Sequence, residues 1–193
     1  MSASVEPVPL PAPPQRQRRW VPVLVLAVVM VGIVSGGYVT ADALGRAGGD
    51  TVVVSPSVTV TALPGWELAG RFEGPTGVRL SKGSASLDVA TLPFTGSSEG
   101  LLAAYIENVL EPGAEQFRVS ETVEGVVLDS GQFGARINYV GLFGDVQAPI
   151  EGEVTAVVTP EGVGVIFDGW APSGQLQFAI DDIHSMIRGA RIA

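Results

Sequence analysis

Residues 77–110 read GVRLSKGSASLDVATLPFTGSSEGLLAAYIENVL, and the periodicity changes inside them. Gly77–Lys82 and Ala85–Ala90 alternate apolar and polar residues, and Gly83-Ser84 between them is a hairpin signal. Leu101, Leu102, Tyr105, Ile106, Val109 and Leu110 instead follow helical spacing. Ser97 or Ser98 can cap that helix, and Pro112-Gly113 stops it. A hairpin running into an amphipathic helix predicts an α+β fold, with helices packed on an antiparallel sheet.

The pattern extends in both directions. Upstream, Ser57–Ala62 alternates and predicts a first strand, Leu63-Pro64-Gly65-Trp66 a turn, and Glu67–Phe72 a short strand. Downstream, four strands are expected over Phe117–Val123, Gly131–Phe143, Val154–Thr159 and Val163–Trp170. Thr159–Gly162 forms the turn between the last two. A closing helix after Pro172-Ser173 carries an apolar stripe of Leu176, Ala179, Ile180, Ile183 and Ile187. Phe178 falls on its opposite face with Asp181, Asp182 and Ser185, and is the candidate interaction residue. No 20–50-residue period repeats, which excludes a solenoid.

Ahead of this domain, assigned to residues 57–193, composition marks three segments. Residues 1–19, MSASVEPVPLPAPPQRQRR, are a Pro-rich arm that cannot build a helix or a central strand. Trp20 to Thr40 carries no charge, and at ~1.5 Å per residue would make about 31 Å of helix, the thickness of a bilayer core. Arg16, Arg18 and Arg19 just before it predict a cytoplasmic N-terminus and an extracytoplasmic domain. The bilayer length favours a retained transmembrane anchor. The alternative is a signal peptide cleaved near Ala43, in Ala41-Asp42-Ala43. Gly32 and Gly36 form G-x-x-x-G, a candidate helix-dimer contact. Residues 41–56 read as a linker entering the domain.

The 193 residues hold 20 Asp and Glu against 11 Lys and Arg, one His and no Cys. The acidic balance argues against nucleic acid as the partner. Without Cys there is no disulfide framework, no thiol chemistry and no lipidated anchor. His184 has Asp181 and Ser185 nearby in sequence, but neighbours on one helix diverge by about 100°, so Ser185 cannot serve as its nucleophile. Asp181 can pair with it. Glu151 and Glu153 share a strand face with Cα atoms about 6.5–7 Å apart, a spacing that could serve glycoside chemistry but reads as a solvated strand face. Gly162-Val163-Gly164 follows a turn and lacks the third glycine of a phosphate fingerprint. Trp66 and Trp170 read as core or groove aromatics. No catalytic, cofactor or metal residue is assigned.

Leu63-Pro64-Gly65-Trp66, the strands around Leu80 and Leu87, Tyr105-Ile106 in the first helix and Ile183-His184-Ser185-Met186-Ile187 in the last carry a resemblance. From Thr59 to Ile192 the chain resembles the extracytoplasmic PsbP-like fold, as in the LpqN type of mycobacterial lipoprotein. With the arm, the arginines and the single anchor, it looks like a membrane-anchored actinobacterial protein, although its anchor is peptide rather than lipid. The resemblance implies a cell-envelope domain that binds another protein, as most members of this fold do, rather than an enzyme. Fold likeness does not by itself assign function. The expected role is therefore interaction with, or accessory support of, an envelope complex. The alternatives are a lipid or small-ligand binder and, behind both, an envelope hydrolase.

Overall fold

The computed structural model describes residues 49–73, 76–144 and 148–193. The Pro-rich arm, the expected membrane span with Gly32 and Gly36, and the first half of the expected linker lie outside the described residues. Among the described residues no helix is long and apolar enough to cross a membrane.

Strands β1 (Thr51–Ser55) and β2 (Val58–Thr61) form a small sheet with β11 (Arg191–Ile192). The large sheet contains β3 (Glu67–Glu73), β4 (Thr76–Lys82), β5 (Ala85–Pro93), β6 (Ala114–Val119), β7 (Glu124–Val127), β8 (Phe133–Phe143), β9 (Ile150–Val158) and β10 (Val163–Pro172). Its order is β3-β4-β5-β10-β9-β8-β6, with β7 also paired to β8. Every pairing is antiparallel. Helix α1 (Ser98–Tyr105) runs on as a π-turn, Ile106–Leu110, and a last turn, Glu111–Gly113. A 3-10 turn, Leu176–Phe178, leads into helix α2 (Ile180–Arg188). The α+β class with helices on an antiparallel sheet is as read from the sequence.

The two sheet faces have separate cores, as expected where alternating strands are covered on both sides. On one face Leu80, Leu87, Val165 and Phe167 pack with Val52, Val54, Val58 and Val60 of the small sheet and with Ile183 and Ile187 of α2. On the other, Leu101, Leu102, Tyr105 and Val109 pack on Ile137, Val154 and Ile166. β5 and β10, sandwiched centrally, are buried along almost their whole length. Gly169 on β10 lets α2 lie close, because a Cβ there would come within 2.9 Å of Ile183.

The start of α1 follows the sequence reading: Ser97 Oγ accepts from Gly100 N at 3.1 Å and caps the helix. Ser98 instead ties the helix to the sheet, donating to the Phe133 carbonyl and accepting from Val158 N.

Four boundaries differ. The folded unit begins before residue 57, since β1 lies within the expected 41–56 linker. Val52 and Val54 are buried and Val53 is exposed, an alternation hidden inside a uniform valine run. The expected strand Phe117–Val123 divides into the end of β6 and the approach to β7, both edging β8. β9 starts at Ile150, where its backbone pairs with Gly141 and Pro172, and Glu151 and Glu153 then find partners on the covered face. The closing helix begins as a 3-10 turn and gains its α-helical form only at Ile180.

Candidate functional site

Each sheet face carries one polar network, and register explains both. Arg79, Asp88 and Asp168 sit side by side on β4, β5 and β10, so their side chains share the α1 face. Arg79 binds Asp88 bidentately, Nε to Oδ1 at 2.6 Å and Nη2 to Oδ2 at 2.7 Å, and its guanidinium lies 5.3 Å from the Trp170 ring centroid. Trp170 Nε1 also donates to Asp88 Oδ2, at 3.2 Å. Asp168 accepts from Tyr105 Oη at 2.8 Å and Tyr139 Oη at 2.9 Å. Burial, helped by the nearby Asp88 charge and opposed by the two tyrosine hydrogen bonds, pushes the Asp168 carboxyl up to about 7.

This network is a closed structural lock, with Asp88 and Asp168 at 5% and 4% exposure. The Tyr139 ring lies over Gly152, where an added Cβ would overlap it. Gly152→Ala is expected to lower stability by about 1–3 kcal/mol through overpacking. A fall in the urea midpoint with unchanged slope checks this, and an unaltered midpoint contradicts it.

The second network faces an open cleft of about 520 Å³ between α2 and the β7–β8–β9 corner. Arg136 and Thr155, paired in register, lie on the sheet side. Asp181, His184, Ser185 and Arg188 line it from α2, and residues 125–127 from β7. His184 Nε2 lies 2.8 Å from Glu153 Oε1 and 3.0 Å from Arg136 Nη1. One ring nitrogen has one in-plane direction, so it donates to Glu153 or accepts from Arg136, not both at once. Arg136 Nη2 donates to Glu124 Oε2 at 2.6 Å, and Arg136 Nε stands 3.5 Å from Glu153 Oε2. Burial raises the Glu153 carboxyl above its ordinary range, against the pull of His184 and Arg136. The Arg136 hydrogen bond lowers that of Glu124. Thr155 Oγ1 is buried without a hydrogen-bond partner.

The residues singled out from the sequence fall into place as follows. His184 pairs with Glu153 and Arg136, and Ser185 donates to the Asp181 carbonyl, so the expected Asp181–His184 pairing gives way to cross-sheet partners. Glu151 and Glu153 share a face, but Glu151 accepts from Leu176 N and each carboxylate holds its own partner. Trp66 is fully buried and donates to Asp182, which also takes Lys82 Nζ at 2.7 Å. Gly162 closes the β9–β10 turn, its N donating to the Thr159 carbonyl. Phe178 is 76% exposed. Arg136, Thr155 and Arg188 escaped the sequence reading. The one available signal was an arginine on the polar side of an otherwise apolar alternation, which any solvated strand also shows.

No family model matches the chain, and no curated protein matches it in sequence. Solved structures do. The solution structure of the cyanobacterial PsbP protein CyanoP from Synechocystis matches with a TM-score of 0.53 at 16% identity, over 80% of this chain and 98% of that one. The fold is PsbP-like. The Ran-binding protein Mog1p of Saccharomyces cerevisiae matches with a TM-score of 0.53 at 12% identity, over 78% of this chain and 96% of its own. At such identities the PsbP-like likeness concerns architecture alone.

Proposed function

We propose that this chain is a single-pass, membrane-tethered interaction module whose extracytoplasmic domain docks on a cell-envelope protein through the outer side of α2. The observation that carries the reading is the exposed Phe178, three residues before the cleft-lining Asp181 and seven before Ser185. An apolar anchor beside a polar recess is the usual form of a docking surface. The charged lining of the cleft turns the reading away from a lipid pocket, which needs apolar walls. A nucleophile within reach of His184 would be needed for a hydrolase, and Ser185 Oγ turns instead to the Asp181 carbonyl. The reading assigns no catalytic residue, cofactor or metal. The uncharged span Trp20–Thr40 supplies the tether, which raises the effective concentration of the domain toward any membrane-resident partner.

The test places a photo-crosslinking residue at position 178, and at the exposed position 107 on the α1 side as control, in the full chain in its own membranes. One defined adduct is expected from 178, absent from 107 and lost when residues 20–40 are removed. Equal adducts from both positions, or none from 178, overturn the docking surface. Protease added to spheroplasts should digest residues 57–193. Protection of the domain overturns the topology.

A further inference from the structure

We propose that the cleft beside α2 recognises a carboxylate of the docking partner, with Arg136 as the reading group and Glu124 as an internal stand-in for that carboxylate. The inference rests on the docking role above and supplies its chemistry.

Arg136 is held from two sides that differ in kind. Toward the interior it meets His184 and Glu153, whose side chain is 5% exposed. Toward solvent it meets Glu124, whose side chain is 52% exposed and which stands on the four-residue edge strand β7. The buried side holds the guanidinium by charge, with Glu153 Oε2 at 3.5 Å from an Nε that makes no hydrogen bond. The exposed side shows that its outer edge accepts a carboxylate, that of Glu124 at the rim of the cleft-lining residues 125–127. A guanidinium edge matches carboxylate geometry, including the two-point form. Exchanging Glu124 for an incoming carboxylate costs little, because an exposed ion pair contributes weakly and the released Glu124 regains water.

Two further groups stand ready beside the fork. Thr155 lines the cleft in register with Arg136, fully buried, its hydroxyl unpartnered. A buried hydroxyl without a partner is costly, and a ligand oxygen reaches this one only when the cleft floor opens, since Thr155 has no exposed surface. Arg188 adds a second cation from the α2 wall. Asp181 on the same wall opposes a second negative charge, so a single carboxylate, such as a glutamate or aspartate side chain, fits better than a multiply charged anion.

The experiment follows the arginine Nε–H resonances of the full chain in detergent micelles. The probes are the tripeptide acetyl-Gly-Glu-Gly-amide, its glutamine counterpart and free succinate. The glutamate tripeptide should shift the Arg136 resonance in a saturable way, and the glutamine tripeptide should not. Glu124→Gln, which vacates the outer edge, should tighten binding about fivefold, the scale of an exposed ion pair. Arg136→Lys should abolish saturable binding of the glutamate tripeptide measured by calorimetry, and unchanged affinity there overturns the proposal. Equal binding of the glutamine tripeptide, or unchanged affinity in Glu124→Gln, overturns the proposal. Succinate binding more tightly than the tripeptide overturns the assignment to a protein partner in favour of a free small acid. A defined adduct from position 178 alongside a silent Arg136 would leave the docking surface standing while removing its carboxylate chemistry.

Discussion

Arg79→Met should lower the unfolding free energy by about 3–5 kcal/mol, the range for removing one partner from a buried ion pair. Methionine preserves much of the aliphatic length but no charge. Asp88, its side chain 6% exposed, would then remain buried beside Asp168 without the guanidinium that binds both its oxygens. The stacking of that guanidinium against Trp170 would also be lost. Asp88→Asn in the same chain should restore much of the loss, because the amide oxygen still accepts from Trp170 Nε1 while the stranded charge is gone. Urea unfolding of the two single variants and the double variant forms a double-mutant cycle. A cost below about 1 kcal/mol for Arg79→Met, or additive single effects, would show that the pair does not hold this face together.

The difference between what could and could not be read from the sequence follows from the range of each signal. The β4–β5 hairpin and α1 were legible because periodicity and turn residues are local. The Ser97 cap was legible for the same reason, since the bond it makes spans three residues. β1 was hidden because Thr51–Ser55 is apolar at three successive positions, and only its pairing with β2 shows which valines face inward. Both polar networks are products of strand order. Asp88 and Asp168 stand eighty residues apart and become neighbours only because β5 and β10 pair. Their visible trace was a carboxylate inside an apolar strand, at Leu87-Asp88-Val89 and Phe167-Asp168-Gly169, which signals a buried partner without naming it. The cleft was still less legible. Glu124, Arg136, Glu153 and His184 come from three strands and a helix, and each alone reads as a polar side chain turned to water. Phe178 is exposed as the sequence reading had it, although the α-helical angle behind that reading does not hold there, because it closes the 3-10 turn before α2 begins at Ile180.

Asp168→Asn should change the sign of its effect with pH. Burial, reinforced by the Asp88 charge, pushes the Asp168 carboxyl up to about 7 from an ordinary 3.8. Between those values the folded protein keeps a proton that the unfolded chain has released. The unfolded state then binds fewer protons, so this group makes stability fall as pH rises. Its favourable contribution is complete below about pH 4 and is lost as pH climbs through about 7, a displacement equivalent to roughly 4 kcal/mol. Asparagine does not titrate. Near pH 4 the variant should be slightly less stable than the parent, because its amide replaces a protonated carboxyl between Tyr105 and Tyr139. By pH 8 it should equal or exceed the parent, because the parent now buries a charge there. Glu124 and Asp182, whose carboxyls are held below their ordinary range by Arg136 and by Lys82, work in the opposite sense. They act equally in both proteins and cancel in the difference. Urea unfolding of the two proteins from pH 4 to pH 8 measures that difference directly. A difference independent of pH would mean that the two tyrosine hydrogen bonds offset the burial of the charge, leaving Asp168 ionised across the whole range.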